Sequence, residues 1–434
     1  MNNVAQVNLS GNMVGALAYD PQNGLCTFEY APKWIETGIE ISPKHMPLSS
    51  KKYTFPSLPR DTYKGLPSVF ADTLPDDFGN AVINAWLVRQ GRSPSSFTAL
   101  ERLLYIGERG MGALEYVPGL DRSSSKQQPL EMDSLVAMAQ QVVDQRSQIS
   151  SELAESDDDF LNDIFQVGTS AGGARPKAVI GINKERTHIV SGQLKLPDGY
   201  EHYLLKFDGV SESSNQQQTF GDPQGFGRME YAYYLMAVDA GLEMTPCELL
   251  HENGRAHFMT KRFDRVQTQM GEQKVHYQSL CSMDHADYKQ PGSYSYEQLF
   301  ALMRYLRLPR AQAMQMFRRM VFNIIARNHD DHSKNFGFVL GAEGRWQIAP
   351  AFDVAYSYKK DSPWVNSHQL SLNGRRDQFV KADLLQLANR FEKEARLIIE
   401  EVQDVVANWQ SYAARAEVNK SFADEIASNH RLIL

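Results

Sequence analysis

Cysteine is scarce in this chain: Cys26, Cys247 and Cys281 are the three in 434 residues, widely separated and in no metal-binding spacing. That excludes a disulfide framework and suits a reducing cytosol, with the thiols serving as core or surface groups. Long hydrophobic runs are also lacking, since no stretch approaches about eighteen consecutive apolar residues, and the opening Met-Asn-Asn-Val-Ala-Gln-Val-Asn-Leu has no basic region leading into an apolar one. The expectation is a cytoplasmic protein that neither spans a membrane nor is exported by that route. A basic excess is missing too. Lys and Arg number 45 against 52 Asp and Glu, a net charge of −7, which argues against a free-standing nucleic-acid binder and leaves room only for a local basic patch. Neither the Gly-x-x-x-x-Gly-Lys-Ser/Thr spacing of a Walker A loop nor a Gly-x-Gly-x-x-Gly fingerprint occurs. At 42% hydrophobic and 22% charged, the composition is that of a globular protein, and the length allows two to three domains.

What is present centres on residues 328–353. The run Asn-His-Asp-Asp-His-Ser-Lys-Asn-Phe-Gly-Phe (328–338) places Asp330 five residues before Asn335, and Ile-Ala-Pro-Ala-Phe-Asp-Val-Ala-Tyr-Ser (348–357) follows. Kinase catalytic loops use this spacing to set a carboxylate that receives a hydroxyl proton beside a carboxamide that holds a metal. Asp353 is then the second ligand, and hard oxygen donors of this kind suit Mg²⁺ bridging nucleotide phosphates. The order Asp-x-His-x-x-Asn is closer to lipid-kinase and small-molecule-kinase loops than to His-Arg-Asp. Two other readings fit the residues: a transition-metal site, which needs ligands converging from elsewhere that the other histidines do not offer, and a solvated capping loop after a helix.

Taken in order, residues 4–19 and 25–30 alternate around turns and predict a small antiparallel sheet. Residues 65–86 pass from a Pro- and Asp-rich turn into a helix with Phe78, Val82, Ile83 and Trp86 on one face, and Phe97, Leu100, Leu103 and Leu104 mark a second helix closed by Gly107. Pro129 and Asp133 precede a third helix through Val143; residues 147–159 are polar and acidic, a connecting segment. The loop Val-Gly-Thr-Ser-Ala-Gly-Gly-Ala-Arg-Pro-Lys (167–177) has glycines that let backbone N–H groups approach a phosphate and a terminal lysine that adds a charge, or it is a plain turn before the strand 178–182. Lys206 ends the apolar run 202–207, where a buried strand presents an ammonium to phosphates or a surface lysine snorkels. Residues 226–240 predict a helix with Met229, Tyr233, Met236 and Val238 apolar and Glu230 placed to pair with Lys206. Two strands, 247–250 and 256–263, follow, and residues 261–265 leave as a connector between lobes. Residues 296–306 and 309–326 predict helices, the second delivering residue 328; a hairpin (336–340 and 345–348) returns the chain to Asp353, and 384–409 and 422–426 are helical.

With the Gly-rich loop, Lys206, Lys261-Arg-Phe-Asp-Arg, residues 328–336 and 350–353 in this order, the chain resembles the HipA family of bacterial serine/threonine-protein kinase toxins. The segments 65–77 and 107–113 look like that family's N-terminal subdomain, so the likeness covers nearly the whole chain. The resemblance implies an α+β, two-lobed, protein-kinase-like fold related to lipid kinases, with a mixed α/β N-terminal lobe and a mostly helical C-terminal lobe. The expected division is 1–125 for the N-terminal subdomain, 126–262 for the remainder of the N-lobe and 263–434 for the kinase lobe. It implies ATP and Mg²⁺ as cofactors, Asp330 as the catalytic aspartate, Asn335 and Asp353 as Mg²⁺ ligands, and Lys206 as the ATP-phosphate lysine. Ser170 matches the family's autophosphorylated serine. Ala171, Gly172, Gly173, Ala174 and Lys177 match the phosphate-cradling loop, and Thr260, Lys261 and Phe263 the adenine-side connector, with His332 also at the nucleotide site. Arg175-Pro176 departs from a familiar Gln-Glu pair, and Asp331 stands where a glycine is familiar, adding a negative charge next to the base.

The resemblance further implies a HipB-like helix-turn-helix antitoxin, operator DNA reached through that complex, and a protein substrate such as an aminoacyl-tRNA synthetase, glutamyl-tRNA synthetase being the family's best-known target. Growth arrest, persistence and repression of its own operon follow from that role. Arg375 and Arg376, after Asn373-Gly374, are candidates for phosphate contacts once the antitoxin holds the protein near DNA; a solvated turn is the other reading. Two rival functions remain: a co-repressor subunit with weak kinase activity, and a small-molecule or lipid kinase, which gives no reason for Ser170.

Overall fold

A computed structural model describes residues 3–75, 77–89, 91–119, 129–145, 175–211, 221–222, 224–269 and 271–433. The expected connecting segment 147–159, Ser170, Ala171, Gly172, Gly173 and Ala174 lie outside them, as do the side chains of Phe78 and Trp86.

The alternation at the start of the chain produces an antiparallel sheet as expected: β1 (Val4–Leu9), β2 (Asn12–Asp20), β3 (Leu25–Tyr30), β4 (Lys52–Tyr53) and β5 (Leu114–Val117), ordered β4-β3-β2-β1-β5. Its inner face buries Val7, Leu17 and Phe28 against Leu100, Leu103 and Leu104 of the helix Ala99–Ile106. Thr98 caps that helix through a reciprocal capping box with Glu101, so Phe97 lies just before the helix rather than in it. Val82 and Ile83, expected on one face, pack into two different clusters.

The second sheet comprises β6 (Lys177–Asn183), β7 (Ile189–Ser191) and β8 (Tyr200–Lys206); past a two-residue ribbon of β9 (Val210–Ser211) and β10 (Gly221–Asp222), β11 (Cys247–Glu252) and β12 (Arg255–Lys261) complete it in the order β11-β12-β8-β6-β7. The helix Met132–Gln145 packs on one side, with Leu135, Val136 and Ala139 against Ala178, Ile180 and Leu205. The helix Phe226–Asp239 lies against β12. Buried Asp208 caps it by accepting from the backbone N–H of Gly225 at 2.8 Å, and a side chain at Gly227 would collide with the Ala256 carbonyl, so only glycine permits this approach. Met229, Tyr233 and Met236 are buried as expected; Val238, two positions on from Met236, points the other way and is exposed.

A connector leads through the hairpin β13 (Arg265–Thr268) and β14 (Gly271–Lys274) to a third sheet of β15 (Tyr277–Ser279), β16 (Gly337–Leu340) and β17 (Trp346–Ile348). The helices Tyr296–Tyr305 and Arg310–Ile325 supply the largest core, with Phe317, Val321, Ile324 and Ile325 buried inside it. Residues 384–409 are not one helix. The chain breaks between Lys381–Leu387 and Glu392–Ala407, where Phe391 takes a non-helical φ of −149° and sets its ring 5.6 Å from Phe317, and a further helix starts at Trp409. No helix among the described residues is long and apolar enough to cross a membrane.

Candidate active site

The helix Arg310–Ile325 ends at Ala326, and Arg327 turns out of it with a left-handed φ of 59°, which starts the loop carrying Asp330. Residues Ser333–Asn335 make a 3-10 turn anchored by the Ser333 hydroxyl donating to the Ala286 carbonyl at 2.5 Å. The Asn335 carboxamide then donates back to the Asp330 carbonyl at 2.7 Å, closing the loop on itself. Asp330 keeps its side chain about half exposed, and His332 stands 3.7 Å from its carboxylate. After β17, Asp353 adopts a left-handed φ of 51°, a conformation aspartate and asparagine tolerate better than other side chains.

Lys206, the last residue of β8, joins the second sheet to the helix Phe226–Asp239 and to Asp353. Its ammonium donates to Glu230 on the helix Phe226–Asp239 and to Asp353, each at 2.5 Å, so the pairing expected with Glu230 is present and a third member is added. Burial by itself lowers the Lys206 pKa, but the Asp353 and Glu230 carboxylates outweigh it and hold it above the ordinary lysine value. At Asp353, burial is likewise outweighed, by the Lys206 and Lys177 ammoniums, which keep the carboxyl well below its usual range. At Glu230 burial wins and the carboxyl is pushed up. Lys177 is buried and pairs across the ladder with Lys206, and Arg175, its guanidinium 5.7 Å from the Phe226 ring, adds a third cation to the same field.

Thr260, Lys261, Phe263, Asn335 and Asp353 all line one small cavity of about 90 Å³ beside the connector. Its wall includes the clustered rings of Phe263, Tyr277 and Phe352, tilted against one another, with Phe263 5.5 Å from Tyr277 and 5.9 Å from Phe352. The Lys261 ammonium is turned away onto Glu201 at 2.5 Å, so Lys261 offers the cavity its backbone and stem. Two hard oxygen donors, Asn335 and Asp353, meet there, whereas no group of three or more His, Cys, Asp or Glu that could hold a metal exists among the described residues. That donor set fits a magnesium ion completed by phosphate oxygens and does not fit a transition metal.

One working residue gave no signal in the sequence. Arg319, in the middle of a helix read only for its apolar stripe, is buried and donates from one nitrogen to the carbonyls of Asn335 at 2.5 Å and Phe352 at 2.9 Å, with its guanidinium over the rings of Phe336 and Phe352. It thereby ties the Asp330 loop to the residue preceding Asp353. Asp264 accepts from Arg262, Arg265 and the Gly112 backbone N–H at 2.7–2.9 Å, locking the connector to the 107–113 turn of the first domain. Asp331 does not add its charge beside Asp330. It is buried, accepting from Tyr296 at 2.6 Å, His368 at 2.8 Å and the Gln369 backbone at 2.7 Å.

Arg375 and Arg376 are held by the protein itself. Arg375 donates to both oxygens of Asp383 at 2.6 and 2.7 Å, and the Arg376 Nε donates to the His368 carbonyl at 2.7 Å.

Residues 5–117 match the HipA N-terminal domain and residues 169–409 the HipA-like C-terminal domain. A Sinorhizobium fredii (strain NBRC 101917 / NGR234) relative named "Putative kinase Y4mE" is 24% identical over 368 residues, 81% of this chain and 76% of that protein. The HipA of Shewanella oneidensis MR-1, solved with HipB and its operator DNA as a toxin–antitoxin system, superposes with a TM-score of 0.66 over 98% of this chain and 95% of that one, at 16% identity. The expected α+β kinase-like fold is thus present.

Proposed function

We propose, on the premise that the chain belongs to the HipA family, that it is an ATP- and Mg²⁺-dependent protein kinase acting on serine or threonine, the toxin of a toxin–antitoxin pair. The observation that carries this reading is the Lys206 ammonium held between Glu230 and Asp353, with Asn335 on the same cavity and Asp330 at the loop's exposed edge. In this reading Lys206 exchanges a carboxylate for nucleotide phosphate oxygens, Glu230 keeps the ammonium aimed, and Asp330 receives the proton of the attacking hydroxyl. Asn335 and Asp353 would hold magnesium, which when bound neutralises phosphate charge. Thr260, Lys261 and Phe263 flank the base, and Ser170, Ala171, Gly172, Gly173 and Ala174 keep the roles that the family resemblance assigns them.

The protein substrate is a translation enzyme such as an aminoacyl-tRNA synthetase, and the partners are a helix-turn-helix antitoxin and, through it, operator DNA. The Shewanella HipA complex with HipB and operator DNA supports that partnership. The Asp383 and His368 contacts of Arg375 and Arg376 favour a structural turn, so replacing both by alanine should leave the salt dependence of operator binding by the antitoxin complex unchanged. The deciding experiment is incubation with labelled ATP, alone and with purified aminoacyl-tRNA synthetases. Label on a synthetase and on Ser170, absent with Asp330→Asn, supports the kinase. Wild-type protein that labels nothing while still binding antitoxin and operator supports the co-repressor instead.

A further inference from the structure

The first domain also reaches the cavity beside the connector, through Asp72, Leu74 and Met111. Asp72 follows the short helix Ser68–Ala71 and is the one ionisable side chain that this domain brings to the wall. Both its oxygens are held: one accepts from the Ser279 backbone N–H at 2.6 Å, the other from the Ser279 hydroxyl at 2.7 Å. Ser279 ends β15, where it pairs with Gly337, two residues past Asn335, and the backbone N–H of Leu280 beside it donates to the Phe336 carbonyl at 2.7 Å. The first domain is fastened to the same stretch by the Ser68 hydroxyl, donating to the Ser282 carbonyl at 2.8 Å, and by the Tyr63 hydroxyl, donating to the Cys281 carbonyl at 3.0 Å. Asp72 is thus fixed against the strand that pairs with the end of the catalytic loop. Burial pushes its carboxyl up, and the Lys334 ammonium is foremost among the groups that oppose this.

Lys334 stands at a boundary. Asp330 lines a neighbouring groove of about 810 Å³, and among the described residues only Leu74 and Lys334 line both it and the cavity that holds Asn335 and Asp353. On the kinase reading above, on which this inference rests, the phosphoryl group leaves the nucleotide on the Asn335 and Asp353 side and meets a hydroxyl on the Asp330 side. Its bond to the nucleotide oxygen breaks as the bond to the hydroxyl oxygen forms; the nucleoside diphosphate keeps the electron pair, and the hydroxyl proton passes to Asp330. We propose that the Lys334 ammonium meets the non-bridging oxygens of the phosphoryl group in passage, and that Asp72 is the positioning residue that holds it there, so that the first domain contributes a side chain to the active site. An ammonium carries three protons, so Lys334 can keep one on Asp72 and turn the others to phosphoryl oxygens. It supplies charge and hydrogen bonds and gives up no proton.

The test is calorimetry of the full chain, with Mg²⁺ and either ADP or a β,γ-imido ATP analogue, which adds the terminal phosphoryl group. Lys334→Met should weaken the analogue about tenfold and ADP by no more than about twofold. Asp72→Asn removes the charge and keeps the shape, because the asparagine oxygen can accept from the Ser279 N–H while its amide donates to the Ser279 hydroxyl. It should show the same selective loss in smaller measure. Since Asp72 acts through Lys334, the double variant should bind the analogue no more weakly than Lys334→Met alone. Phosphoryl transfer should fall about 10²-fold in Lys334→Met. Equal losses for the two nucleotides, no loss for either, or single losses that add in the double variant would each overturn the proposal. A wild type that binds both nucleotides while its variants match it sinks this inference alone, whereas a wild type that binds neither sinks the kinase reading together with it.

Discussion

At the scale of single residues, the division of labour around Asp330 makes two predictions. In the proposed mechanism the carboxylate acts on the hydroxyl and not on the nucleotide, so Asp330→Asn should lower phosphoryl transfer by about 10² to 10⁴ while nucleotide affinity, read by calorimetry, stays within a factor of about two. A wild-type rate would remove Asp330 from the mechanism. Arg319 acts through others. Its bonds to the Asn335 and Phe352 carbonyls set the spacing between the Asp330 loop and Asp353, so Arg319→Met leaves two buried carbonyls unsatisfied and should cost about 3 kcal/mol in urea unfolding. It should also lower kcat by about tenfold or more, because small misplacements of reacting groups are expensive. An unchanged kcat in a destabilised protein would mean that Arg319 supports the core alone. Asp330 could be found from the sequence because its five-residue spacing to Asn335 is local. Arg319 could not, because an arginine in a helix reads as its exposed face until the helix is packed.

At the scale of elements, the joints between domains are polar and buried. The His276 Nε2, just before β15, donates to the Ile41 carbonyl of the first domain at 2.9 Å. Burial pushes its pKa down from the ordinary 6.5 to about 4, the bond to Ile41 opposing only in part. Between those values the unfolded chain takes up a proton that the folded chain refuses. The stability is therefore fully present above pH 6.5 and is lost as pH falls toward 4, at up to about 1.4 kcal/mol per pH unit for this one group. Urea unfolding at pH 7 and pH 5 should show a larger loss for the wild type than for His276→Gln, which has no proton to take up. Equal losses would place the acid sensitivity in other histidines, such as the buried His257 or the half-buried His285.

For the whole molecule, the size of the cavity beside the connector is the telling dimension. About 90 Å³ is well below the several hundred Å³ typical of small-molecule sites, and Lys206 closes the cleft by bridging Glu230 in one lobe to Asp353 in the other. On the kinase reading, a nucleotide that needs more room than this cavity gives enters as the lobes part. The observed association rate of a fluorescent ATP analogue should therefore level off with concentration, at the rate of opening, rather than rise linearly. Glu230→Gln, which removes one anchor of the bridge, should raise the plateau. A linear rise to the highest concentrations would show that the cleft is open in solution.

Much of this protein is decided by short-range pattern. The alternation in residues 4–30, the apolar stripe of the helix Arg310–Ile325 and the Asp330-to-Asn335 spacing each act within a few residues, so local propensity and one-dimensional spacing determine them. The order of the Gly-rich loop, Lys206, the connector and Asp353 was enough to indicate the family. Tertiary structure alone decided which partners charged side chains find across long separations: Lys206 with Asp353, Asp264 with the Gly112 backbone, Arg265 with the Gly110 carbonyl, Arg102 with Asn80 and Asn84, and Asp331 turned inward onto Tyr296 and His368. The physical reason is that a charged side chain carries no periodicity that marks its partner. Whether it serves solvent, a ligand or a buried counter-charge depends on the desolvation and geometry that exist only once the lobes have packed.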